Sequence, residues 1–136
     1  MVRRIEHIAV AVKDVEASIR LFETLLGKHG SDIETLPEER VKVAFFELEG
    51  SRLELVQGID SDNPMSTFIE RRGEGLHHIC LEVEDLSGTL GLLHAAGFPL
   101  IDRVPRAGSR GTRVAFVHPK GCHGVLIELV EQPSRA

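Results

Sequence analysis

The chain is short of cysteine, of basic charge and of long apolar runs, and each shortage removes a class of protein. Only Cys80 and Cys122 occur in 136 residues, too few for a disulfide framework, so both are expected as reduced thiols. Sixteen Lys and Arg stand against 21 Asp and Glu, a net charge of -5, which lacks the basic face that a nucleic-acid binder needs. No apolar run approaches the roughly 18 residues of a membrane span. Met1-Val2-Arg3-Arg4 leads into alternating residues, so no secretory leader is expected, and the expected compartment is cytoplasmic. There is no nucleophile elbow, no Gly-rich phosphate loop between a strand and a helix, and no zinc-finger spacing. What remains is an ordinary globular composition, 42% apolar and 27% charged, long enough for one domain with a sizeable core.

What the chain does have is an internal repeat. The segment from Ile5 to Val15, IEHIAVAVKDV, aligns with LHHICLEVEDL from Leu76 to Leu86 at an offset of 71 residues. Val43-Ala44-Phe45 matches Val114-Ala115-Phe116 at the same offset, and Leu53-Glu54-Leu55 matches Ile127-Glu128-Leu129 three residues out of step. Matched blocks in one order are hard to ascribe to chance.

Each half reads as a strand, a helix, then strands. Residues 4–12 alternate, with Ile8, Val10 and Val12 on the core face and His7, Ala9 and Ala11 on the other. Asp14 is placed to cap a helix whose stripe is Val15, Ser18, Ile19, Phe22, Leu25 and Leu26, with Gly27 as its stop. Asp85, the stripe Leu86, Leu90, Leu93 and Ala96, and Gly97 repeat the pattern. Residues 41–48 and 52–57 read as a hairpin, residues 112–117 and 125–131 as its counterpart, and Asn63-Pro64 opens a short helix to about Arg72. The expectation is an α+β fold in a single domain over 1–136, with the repeat at about 3–60 and 74–132.

Four potential ligands fall at equivalent places in the repeat. His7 matches His78, and Glu54 matches Glu128. Parity sends both histidines to the sheet face that the helices are not expected to cover. Each glutamate sits between two core-facing neighbours, where a carboxylate needs a partner or solvent. Taken singly, a strand histidine is more often a satisfied core or surface residue than a ligand. The twofold recurrence is what raises the metal reading. Two neutral imidazoles and two carboxylates balance an M2+ charge, suit Mn, Fe, Co, Ni or Zn, and leave octahedral positions open for substrate. His77 has the wrong parity and no matching histidine, since Glu6 occupies that place.

At these residues the sequence resembles the vicinal oxygen chelate, or glyoxalase, superfamily, and within it the methylmalonyl-CoA epimerase family. IEHIAVAV from Ile5, GEGLHHI from Gly73 and HPKGCHGVLIEL from His118 carry the resemblance, which runs from Ile5 to about Glu131. The last segment is the most specific, because glyoxalase I usually has an aspartate-proline-aspartate-glycine turn there. The resemblance implies two βαβββ modules forming a curved mixed sheet around a metal site. It implies His7, Glu54, His78 and Glu128 as ligands of one divalent ion, Co2+ or Mn2+ ahead of Zn2+, Ni2+ or Fe2+. It also implies an acyl-CoA substrate and a homodimer.

Such a site would interconvert (2R)- and (2S)-methylmalonyl-CoA by removing the C2 proton through an enolate. Some epimerases carry a glutamate, proposed as the base, where this chain has Val43, and Val43 cannot move a proton. The acid-base candidates left are Glu128, Glu47 on the strand parity of Val43, and His118, the repeat counterpart of Glu47. Lys120, Ser109 and Arg110 are candidates for substrate contact; Ser109 and Arg110 lie in a Gly-rich loop that leads into a strand. The competing readings are a glyoxalase I-type lactoylglutathione lyase, an extradiol dioxygenase, and a non-catalytic small-molecule binder. The fourth ligand and the short chain argue against the dioxygenase.

Overall fold

The computed structural model describes residues 1–134. Strand β1 (Val2–Ala11) leads into helix α1 (Val15–Leu26), then β2 (Glu34–Leu36), β3 (Val41–Leu48), β4 (Ser51–Gly58) and α2 (Pro64–Arg72). Then follow β5 (Gly75–Val83), α3 (Leu86–Ala95), β6 (Arg106–Ala107), β7 (Arg113–Val117) and β8 (Ile127–Glu131). Outward from β1 the hydrogen-bonded order is β1-β4-β3-β2, and outward from β5 it is β5-β8-β7-β6. Both halves therefore run the same βαβββ connectivity. The β5–β8 pair is parallel and the pairs outside it are antiparallel, so the ladders are mixed.

Two compact units divide the chain: Met1–His7 with the chain from His78 onward, and Ile8–His77. Three apolar clusters form, each inside one unit. In the first unit, Leu86 and Leu90 of α3 pack on Val83, Ala115, Val117 and Leu129. Asp85 caps α3 by accepting from Gly88 N at 3.1 Å, and Glu131 accepts from Leu86 N at 2.9 Å.

In the second unit, Asp14 caps α1 by accepting from the amides of Glu16 and Ala17, and Gly27 ends the helix at φ 65°. Val15, Ile19, Phe22 and Leu26 close over Val12, Ala44, Phe46 and Leu55. Leu25, expected on this stripe, is 69% exposed. Ten residues after Val15, at 100° per residue, it falls about 80° off the stripe centre.

The opposite face differs from expectation. Ala9 and Ala11 are fully buried, with Val41, Val43 and Val56, under Met65, Phe68 and Ile69 of α2. That face is covered because alanines leave room for a helix. Gly58 permits the approach, since a Cβ there would meet Ser66 N at 3.0 Å. Asn63 fixes the start of α2, accepting from Met65 N at 2.8 Å and donating to the carbonyls of Glu39 and Arg40. Strand β8 begins at Ile127 and not at residue 125, and the edge strands β2 and β6 have no periodic signature in the sequence. Among the described residues no helix is long and apolar enough to cross a membrane.

Candidate metal centre

Parity across the parallel β5–β8 ladder builds the site. Ile79 faces Ile127 and Leu81 faces Leu129, and Leu81, Ile127 and Leu129 pack with the α3 cluster. Cys80 faces Glu128, so both turn to the other side, and His78 shares the parity of Cys80. Across β7–β8, Phe116 lies opposite Glu128, and its ring meets His78 edge-on at 5.9 Å between centroids.

His7, at the end of the Met1–His7 segment, completes the cluster. Its Nε2 lies 3.2 Å from Nε2 of His78 and 3.4 Å from Oε1 of Glu128, and His78 Nε2 is 3.0 Å from the same oxygen. Both histidines are 8% exposed. Burial alone would raise the Glu128 pKa, but hydrogen bonds with His7 and His78 outweigh it and hold the carboxyl at about 2. Glu128 is therefore an anion at neutral pH.

The donor set fits a divalent ion. Bonds of about 2.1 Å place neighbouring donors about 3 Å apart on an octahedral ion and about 3.4 Å apart on a tetrahedral one. The three separations in the cluster span that interval. The two Nε2 atoms face each other across 3.2 Å, with donor and acceptor set by the tautomers, and a divalent ion would take the place of the hydrogen there.

Two neighbours of the cluster were not assigned to it from sequence. Glu6, 6% exposed, places Oε1 2.9 Å from Nδ1 of His7. Cys80 is fully buried, and His7, Cys80 and Glu128 bring one donor atom each within 4.8 Å of one another. Burial pushes its thiol up to about 12 against the opposing hydrogen bond with His7. Alternation sends Glu6 to the face opposite His7, so no pattern in the sequence pairs them. Cys80 adjoins His78 by strand parity, but its sequence context points only to a reduced thiol.

The remaining candidates are placed as follows. Glu54, in the Ile8–His77 unit, is half-buried on β4 opposite Phe45, while its neighbours Leu53 and Leu55 pack toward α1. Val43, on the same face as Phe45, is 2% exposed among apolar side chains. Glu47 is exposed opposite Arg52 and lines a cleft of about 430 Å³ with Lys28, His29 and Phe45. His118 follows β7 in an exposed turn, where its Nδ1 accepts from Lys120 N at 3.0 Å. Lys120, Ser109 and Arg110 are exposed, and Arg110 takes φ 56°, a left-handed conformation uncommon outside glycine. His77 packs edge-on against Phe68 at 4.8 Å. Cys80 and Cys122 are both free.

The sequence matches the Glyoxalase/Bleomycin resistance protein/Dioxygenase superfamily over residues 6–116. It is 34% identical over 131 residues to the ethylmalonyl-CoA/methylmalonyl-CoA epimerase of Cereibacter sphaeroides, covering 95% of this chain and 98% of the relative. It is 35% identical over 127 residues to the mitochondrial methylmalonyl-CoA epimerase of Mus musculus, covering 93% and 71%. Among solved structures, a methylmalonyl-CoA epimerase in complex with methylmalonyl-CoA and NH4+ matches with a TM-score of 0.88 at 31% identity, covering 97% of this chain and 96% of that one. The chain belongs to the glyoxalase/bleomycin resistance/dioxygenase superfamily, on the branch that its methylmalonyl-CoA epimerases occupy.

Proposed function

We propose that this chain interconverts (2R)- and (2S)-methylmalonyl-CoA at a divalent metal held by His7, His78, Glu128 and, from β4, Glu54. The observation that carries the reading is the buried convergence of two Nε2 atoms and one carboxylate oxygen at ligand spacing. The repeat equivalence of Glu54 with Glu128 supports the fourth ligand.

The C2 proton of such a substrate lies between a thioester and a carboxylate, and its loss gives an enolate. A divalent ion held there, Co2+ or Mn2+ in this proposal, would supply Lewis-acid stabilisation of the developing oxyanion. The chain's own groups do the rest. His7 and His78 would present nitrogen donors, and Glu128 a carboxylate oxygen. Glu128 becomes a stronger base when its contacts with the imidazoles loosen, because burial by itself raises its pKa. His118 has Nδ1 engaged by the Lys120 amide, which leaves its Nε2 to carry a proton. Glu47 is the third acid-base candidate. Exposed Lys120, Ser109 and Arg110 offer donors to a CoA ester.

The test is incubation with methylmalonyl-CoA in deuterium oxide, following C2 exchange and inversion with and without added metal. Metal-dependent exchange is expected. Turnover of the methylglyoxal–glutathione adduct with no C2 exchange would replace this reading with a glyoxalase I-type lyase. Ligand binding without either turnover would make the chain a non-catalytic member of the superfamily.

A further inference from the structure

We propose that Glu6 is a positioning residue for His7. Its carboxylate fixes the imidazole as the Nδ1–H tautomer and turns the Nε2 lone pair into the ligand cluster. The proposal rests on the metal reading above for its purpose, but the contact itself stands on geometry.

The two nitrogens of the His7 ring have separate partners. Nδ1 lies 2.9 Å from Oε1 of Glu6, whereas Nε2 lies 3.2 Å from His78 Nε2 and 3.4 Å from Glu128 Oε1. Both ring nitrogens face a carboxylate, and a carboxylate only accepts; the shorter contact, 2.9 Å to Glu6 against 3.4 Å to Glu128, assigns the hydrogen of a neutral ring to Nδ1. Both side chains are almost wholly buried, so water competes little for either group. A carboxylate behind a ligating imidazole holds the ring angle and raises the donor strength of the other nitrogen. The repeat position of Glu6 is taken by His77, whose ring lies against Phe68.

Two measurements test this. Long-range 15N–1H correlation on metal-free protein at alkaline pH reads the His7 tautomer, and competition with a chromophoric chelator reads Zn2+ affinity. The wild-type chain is expected to show His7 as Nδ1–H. Glu6→Ala should lose that preference and bind Zn2+ about 10–100-fold more weakly. Glu6→Gln should keep the tautomer, because the amide oxygen still accepts, and hold affinity within a few-fold. An Nε2–H tautomer in the wild type overturns the proposal, as does Glu6→Ala with unchanged tautomer and affinity. Should the melting curve show that Glu6→Ala does not fold, the wild-type tautomer and Glu6→Gln decide: loss of Nδ1–H in either is refutation. A wild-type chain that shows Nδ1–H yet binds no Zn2+, Co2+ or Mn2+ sinks the metal reading and leaves the Glu6–His7 assignment standing.

Discussion

Nε2 of His7 and Nε2 of His78 stand 3.2 Å apart although 71 residues separate them in the chain. Neither nitrogen can satisfy the other when both rings are neutral acceptors. The Glu128 oxygen at 3.0 and 3.4 Å adds a negative charge to the same point, which favours a positive charge there. A divalent ion, as the proposed function requires, would supply it.

The first prediction is therefore one divalent ion per chain, with its affinity divided between the two histidines. His7→Ala and His78→Ala should each weaken binding at least about 100-fold, since each removes a direct ligand, more than the loss expected for an outer-shell partner. Elemental analysis after dialysis against limiting metal reads the stoichiometry. Full metal content in both variants would show that the ion sits elsewhere.

Acid stability of the metal-free chain reports on Glu128. Its folded pKa of about 2 lies below the ordinary 4.5. The folded state is thus favoured by the ionised form, and this contribution is present above about 4.5 and lost as pH falls toward 2. The shift corresponds to at most about 3–4 kcal/mol, at roughly 1.4 kcal/mol per pKa unit. Urea midpoints measured from pH 6 to pH 3 should fall more steeply for the wild type than for Glu128→Gln. Parallel curves would mean that the His7 and His78 contacts do not hold the carboxylate.

Cys80 should be inert in the folded chain. It is fully buried and its thiol is pushed up to about 12, so at pH 8 almost no thiolate is available to attack an alkylating reagent. Peptide mapping after iodoacetamide treatment should find Cys80 modified only once the protein is denatured. Half-buried Cys122 serves as the internal comparison. Equal labelling of both in the native state would show that the face carrying Cys80 opens.

The histidines were legible because two independent regularities agree on them: period-two alternation fixes their face, and the repeat supplies each with a twin. The caps Asp14, Asn63 and Asp85 were legible because capping is local chemistry. The covering of Ala9 and Ala11 was not, since a row of small residues suits an open face and a close-packed helix equally. Only the docking of Met65, Phe68 and Ile69 decides between them. The contact of Glu6 with His7 was hidden for a related reason, because alternation assigns neighbours to opposite faces. Strands β2 and β6 span three residues and two residues, and exist only through pairing with β3 and β7. Such segments carry no pattern of their own.

The last prediction separates holding the metal from moving the proton. Glu54 and Glu128 are equivalent by repeat, but the two halves need not share the same duties. An amide oxygen can still coordinate, so Glu128→Gln should retain part of the metal, yet an amide cannot serve as a base. That variant should lose C2 exchange and inversion together, by at least about 100-fold, the low end of what a general base contributes. Glu54→Gln should lose less than about 10-fold in both rates if its oxygen only coordinates. Val43 gives this comparison its force, because its apolar side chain, buried among Ala9, Ala11 and Val56, offers no acid to take over. Metal content, exchange and inversion measured on both variants settle the roles. Near-normal exchange in metal-loaded Glu128→Gln would remove Glu128 as the base and move the assignment to His118 or Glu47.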